Sequence, residues 1–173
     1  MQKVTRCLWF DKNGEEAMAF YTSVFRDSKT VQSLRNGDAG NAPGSFLFGT
    51  ILLDGTEVMV LNPNSDSRFN PAVSLMVTCD TQEEVDDYWA KLLKGGKSMA
   101  CGWLTDKFGV AWQITPALLL ELIADPDRVK ADRVMGAMMK MVKIDIKAIK
   151  DAAEGRSADS LRARGGYQRH HRG

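Results

Sequence analysis

Apolar and polar residues alternate along this chain with two different periods, and the switches between them mark its elements. Val4 to Phe10 runs apolar and aromatic, as a buried strand does, until Asp11-Lys12-Asn13-Gly14 breaks it. Ala17, Phe20, Tyr21 and Val24 then recur at i, i+3, i+4 and i+7, one apolar stripe of a helix ending about Phe25. Asn13 with Glu16 three residues later resembles a helix N-cap followed by an acidic first turn. Thr30 to Leu34 reads as a second strand, followed by a Gly-rich loop over 36–44. Phe46–Leu53 and Glu57–Leu61 flank Asp54-Gly55, whose tolerance of positive φ predicts a type I′ hairpin.

After a polar loop, 62–71, with one aromatic, Phe69, the pattern restarts. Ala72 to Cys79 predicts a strand. Thr81 with Glu84 forms a capping box, and Val85, Trp89 and Leu92 make the stripe of the helix behind it. Gly95-Gly96 ends that helix, and a short strand follows. CGWLTDKFGVAWQITP (101–116) then predicts a hairpin turning at 105–109. Val110, Trp112 and Ile114 alternate there with Ala111, Gln113 and Thr115. One face is expected to send Trp103, Trp112 and branched aliphatics into a core, and the other to present small polar groups around Gln113. Strand–helix–strand–strand–strand thus occurs twice, in 4–62 and 72–116, as in folds whose halves do not close a core alone. Past Pro116 the pattern is helical: 117–124, then 127–142 with Val129, Met135, Met138, Met139 and Val142 as its stripe, then 144–152. From 153 to 173 few large apolar residues remain, and the composition predicts a disordered basic tail.

Charge excludes more than it assigns. The 173 residues carry 23 basic and 22 acidic side chains, so no overall field favours nucleic acid or a membrane surface. Five Arg fall from 153 onward, which leaves the body slightly acidic. No run of about 18 apolar residues predicts a membrane span, and no signal peptide is expected. Cys7, Cys79 and Cys101 are odd in number and set among apolar residues, which predicts buried, reduced thiols and a cytoplasmic protein. The only histidines are His170 and His171, so 1–169 offers no imidazole for base or metal chemistry.

CLWFD-KNGEEAMAFYTSVF, TQEEVDDYWAKLLKGG and CGWLTDKFGVAWQITP together resemble the PhnB-like branch of the vicinal oxygen chelate superfamily, the glyoxalase and bleomycin-resistance fold. Members of this branch often carry the label 3-demethylubiquinone 3-methyltransferase. The resemblance spans about residues 3–150. It implies an α+β fold of paired βαβββ modules whose mixed sheets curl into an open cup, with C-terminal helices added here, and usually a homodimer. It also implies four inward side chains, one from the first and one from the last strand of each module, which bind metal in metal-using relatives. By strand position these are Cys7, Val60 or its neighbour Leu61, Ser74 and Gln113. Only Gln113 is of a type such relatives employ, so neither a metal nor another cofactor is expected. Methyl transfer lacks the Gly-rich turn after a strand that holds a nucleoside cofactor.

Three readings compete. In the first, the chain binds a small organic molecule without a metal, as drug-sequestering members of this fold do. Cys7, Val60, Ser74 and Gln113 then line the cup, with Trp9, Phe69 and Trp103 as aromatic surfaces and Arg68 as a bidentate grip on an anionic or planar ligand. In the second, it is a metal-dependent lyase, isomerase or dioxygenase using other ligands. In the third, the helical end and basic tail form an interaction surface. Glu57, Asp11, Asp106 and Lys107 read as solvated or turn residues.

Overall fold

The computed structural model describes residues 3–39, 42–62 and 66–156. The chain divides between Asn70 and Pro71 into two compact units. The first contains β1 (Arg6–Trp9), α1 (Gly14–Val24), β2 (Lys29–Arg35), β3 (Phe46–Leu53) and β4 (Thr56–Leu61). Its sheet runs β1-β4-β3-β2, with β1 parallel to β4 and the remaining pairs antiparallel. The second repeats the plan with β5 (Ser74–Cys79), α2 (Gln82–Leu93), β6 (Lys97–Ser98), β7 (Trp103–Thr105) and β8 (Ala111–Pro116), in the order β5-β8-β7-β6. A parallel first–last pair requires a crossover, and α1 and α2 belong to those crossovers. Both sheets are four-stranded, mixed and unclosed, so the fold is the α+β architecture the repeat predicts.

Each helix covers one face of its own sheet. Ala17, Tyr21 and Val24 of α1 are buried, as are Leu8, Ile51, Val58 and Val60 on the sheet. In the second unit Val85, Trp89 and Leu92 of α2 are buried together with Leu104, Trp112 and Ile114. Asp54 and Gly55 take φ values of 45° and 74°, the two positive values a type I′ turn needs. Thr81 caps α2 by accepting from the Glu84 amide at 3.2 Å, while the Glu84 carboxylate accepts from the Asp80 amide at 2.8 Å.

Local pattern gave way to tertiary structure at several points. Asn13 makes no side-chain cap on α1; the Gly14 amide instead donates to Asn62 Oδ1, 48 residues away, at 3.1 Å. Trp103 does not share a face with Trp112: it pairs in register with Gln113, whereas Trp112 pairs with Leu104. The antiparallel register fixes that parity, and no local period could.

The extension past β8 is α3 (Ala117–Ile123), α4 (Arg128–Met138) and α5 (Ile146–Ala153), built around Leu119, Val134, Ile144, Ile149 and Ala153. The second of these helices ends short of the expected 142. The carbonyls of Met141 and Val142 are taken by the amides of Cys101 and Gly102, at 2.8 and 2.7 Å, so the chain leaves helical geometry there. Gly102, at φ 79°, has no room for a side chain: a Cβ would lie 2.8 Å from the Ile114 carbonyl and 3.0 Å from Ile144. Nor does the expected stripe of α4 face inward. Val129, Met135, Met139 and Val142 are exposed, and the buried ridge is Ala131 and Val134, with Met138 and Met141 partly covered. Ala153 to Arg156, expected in the tail, are described, with Ala153 closing α5; 157–173 lie outside the described residues.

Candidate functional site

Each sheet has a second face that its own helix does not cover. In the second unit, register places Ser74 and Met76 of β5, Trp103 and Thr105 of β7, and Ala111, Gln113 and Thr115 of β8 on it. Gln113 Nε2 donates to Ser74 Oγ at 2.9 Å, which joins two predicted site residues 39 positions apart. That bond uses one amide donor and one hydroxyl lone pair. The Gln113 carbonyl oxygen and the Ser74 hydroxyl hydrogen remain, an acceptor and a donor side by side, flanked by the half-buried Trp103.

The hairpin that presents Gln113 is held by a buried carboxylate. Asp106 Oδ1 accepts from the amides of Phe108 and Val110 at 2.8 and 3.0 Å, and its Oδ2 accepts from Trp112 Nε1 at 2.8 Å. Burial at 3% exposure makes those bonds valuable, because each donor would otherwise be stranded away from water. With Trp112 anchored inward, its neighbour Gln113 faces outward. Asp106 is thus a turn residue, and a more deeply embedded one than its sequence setting suggests.

In the first unit the open face carries Cys7 and Trp9 of β1, paired with Met59 and Leu61 of β4. Cys7 is exposed and not buried as its apolar neighbours predict; the alternation that buries Leu8 turns it outward. Even so, partial desolvation raises its thiol above the usual range and opposes thiolate formation. Val60 lies on the helix-covered side, fully buried, with its Cγ1 3.0 Å from where a Gly14 Cβ would stand. Of Val60 and Leu61, the one facing the same way as Cys7 and Trp9 is therefore Leu61. Phe69 packs edge-on against the buried Phe10, at 4.9 Å between ring centroids. Arg68 is exposed and donates to its neighbour's carbonyl, that of Ser67, at 3.2 Å. Met76 and Met59 were missed. Met76 lies two residues past Ser74, and Met59 is itself the parallel partner of Cys7, so both follow once the pairing is known.

The strand positions that the resemblance implies as ligand positions carry Cys7 and Leu61 in the first unit and Ser74 and Gln113 in the second. The first pair supplies a thiol that resists ionisation and a hydrocarbon, the second a hydroxyl and a neutral amide, and neither pair has the anionic or imidazole donors that suit a divalent ion. Among the described residues no three His, Cys, Asp or Glu side chains gather elsewhere.

The sequence profile of the family described as 3-demethylubiquinone-9 3-methyltransferase matches residues 2–115. The PhnB protein of Bacillus cereus is 40% identical over 67% of this chain and 100% of its own, with a TM-score of 0.63. The chain belongs to this family, the PhnB-like branch of the glyoxalase and bleomycin-resistance fold. A Pseudomonas aeruginosa protein shares the fold at 17% identity, over 67% of this chain and 98% of its own, with a TM-score of 0.59. The fosfomycin resistance protein FosX of Listeria monocytogenes does so at 15% identity, over 70% and 97%, with a TM-score of 0.50. No curated protein matches significantly. The PhnB-like profile ends at β8, so α3 to α5 lie beyond it.

Proposed function

We propose that this PhnB-like chain binds a small organic molecule on the open faces of its sheets without using a metal. The observation that carries this reading is the Gln113–Ser74 pair, which offers one donor and one acceptor beside the indole of Trp103. A few convergent polar groups on an otherwise apolar surface orient a ligand, and an aromatic face supplies contact area. Cys7, Trp9 and Leu61 give the first module a more apolar counterpart. Arg68 and Phe69 are secondary contacts, and Val60 acts only from beneath, by shaping the sheet. Methyl transfer is not supported: β1 runs into Asp11-Lys12-Asn13-Gly14 and β5 into Asp80-Thr81, and neither makes the Gly-rich turn that cradles a nucleoside cofactor. A homodimer is supported by β2, an edge strand whose seven residues are all exposed and which displays Val31 and Leu34. Three unpaired cysteines suit the reducing cytoplasm, and among the described residues no helix is long and apolar enough to cross a membrane.

Metal analysis joined to a thermal-shift screen of small polar aromatics tests the reading. The purified protein should carry no stoichiometric divalent ion, and hits on the wild type should vanish in Gln113→Leu and Trp103→Ala. Stoichiometric metal, or hits indifferent to both substitutions, would sink it. Light scattering that finds a monomer at micromolar concentration would remove the dimer alone.

A further inference from the structure

The helical extension carries a cavity of its own. Between α4 and α5 runs an open groove of about 510 Å³, a volume within the range of small-molecule sites. Its floor is made of Gly136, Ala137, Met141, Ala148 and Ala152. The small residues keep the two helices from filling the space between them, and the methionine adds an adaptable apolar wall.

The rim is charged, and the charges do not cancel. Arg133, Lys140 and Arg156 stand there against Asp132 and Asp151. Asp151 is already engaged twice, by Lys147 at 2.5 Å and Arg156 at 2.8 Å. Among the described residues Asp132 pairs only with Arg128, at 3.9 Å. Arg133 donates to the carbonyls of Ala152 and Ala153, at 3.0 and 2.7 Å, so its cation is fixed at the C-terminal end of α5 and pairs with no carboxylate among the described residues. Lys140 has no carboxylate partner among the described residues. An apolar trough edged by two cations without anions is complementary to a molecule that is apolar along its length and negative at one end.

We propose that the α4–α5 groove binds an amphipathic organic anion, an apolar body carrying a carboxylate or sulfonate, with Lys140 and Arg133 meeting the anion and the Ala–Gly–Met floor taking the body. The site is built wholly outside the family-matched residues 2–115, and it is independent of the open sheet faces.

Titration of the full-length protein with laurate, followed by calorimetry, tests this. Saturable one-to-one binding is expected. Lys140→Glu should weaken it at least tenfold at an unchanged melting temperature. Gly136→Leu should abolish it, because a Cβ at 136 meets nothing within 4 Å and the longer side chain would occupy the trough. Leucine also favours helix more than glycine does, so this variant should fold at least as well. Dodecanol, the same chain without the charge, should bind at least tenfold more weakly than laurate. The proposal fails if the wild type shows no saturable binding or if both variants bind laurate as the wild type does. It fails equally if dodecanol matches laurate, or if Trp103→Ala removes the binding while Lys140→Glu spares it.

Discussion

The two modules share one plan and differ in how they are held. In the first, α1 lacks a side-chain cap of its own and its opening amide relies on Asn62 at the far end of β4; in the second, Thr81 and Glu84 cap α2 locally. The first closes its last hairpin with two residues, Asp54-Gly55. The second uses a longer turn wrapped around the buried Asp106. The open faces differ as well: the second joins Ser74 and Gln113 by a side-chain hydrogen bond beside Met76 and Trp103, whereas the first sets Glu57 among Cys7, Trp9, Met59 and Leu61. Finally, the first module ends its sheet with seven exposed residues, and the second with a two-residue strand. The same topology thus supports a sticky, open half and a locally tied half that presents hydrogen-bonding groups. The second half also carries the helical extension, through Cys101, Gly102 and Gln82.

The widest separation between the halves should appear at their tryptophans. Trp112 is 2% exposed, and Trp112→Ala should cost about 3–5 kcal/mol by chemical denaturation. Trp9 is 46% exposed, and Trp9→Ala should fall nearer the ~0.5 kcal/mol of an ordinary surface change. Comparable losses at both would mean that the first module's open face is a closed core in solution.

Asp106→Asn keeps the shape of the turn but cannot accept from all three donors, so about 1–3 kcal/mol should be lost as one buried N–H goes unsatisfied. The loss should be smaller in a Trp112→Phe background, where the indole donor is gone. Equal losses in both backgrounds would show that the Trp112 bond does not hold the turn.

The caps give a finer contrast. Thr81→Ala should cost about 1 kcal/mol. Asn13→Ala should cost little, since Asn13 makes no cap bond, and Asn62→Ala should do the damage expected of a cap, about 1 kcal/mol. Denaturation curves showing Asn13 more costly than Asn62 would reverse the comparison.

The smallest effect is one of pH. A hydrogen bond from Lys143, and secondarily one from Gln82, holds the Asp86 carboxyl below its usual range and ties the extension to α2. A depressed folded pKa contributes stability at and above the ordinary carboxylate range and loses it as pH falls through the lower folded value. The pair is exposed, so the decline below about pH 4 should be shallow, and Asp86→Asn should flatten part of it. A decline unchanged in Asp86→Asn would show that Asp86 contributes nothing.

The cysteines separate by the same logic of burial. Cys79 is buried, and desolvation, with Glu84 and Asp80 adding to it, pushes its thiol up to about 12. Cys7, exposed and less shifted, should be alkylated at neutral pH while Cys79 is spared, a difference that mass spectrometry reads directly.

The sequence by itself determined the repeat and most of its elements. Alternation in β8, the stripe Val85–Trp89–Leu92, the Thr81–Glu84 box and the Asp54-Gly55 turn are local signals, set by side chains within a few residues of one another. Alternation also put Gln113 at the centre of a polar hairpin face, whereas Ser74 became a candidate only through the family resemblance; the structure joins the two by a hydrogen bond. Only the tertiary structure decided which way Trp103 faces, that Leu61 rather than Val60 shares a face with Cys7, and where α4 stops. Each of those depends on a partner distant in sequence: the register of β7 on β8, the parallel pairing of β1 with β4, and the amides of Cys101 and Gly102 that take the carbonyls of 141 and 142. A one-residue change in register turns every side chain of a strand to the opposite face, and nothing within the strand itself records which register its neighbour will impose.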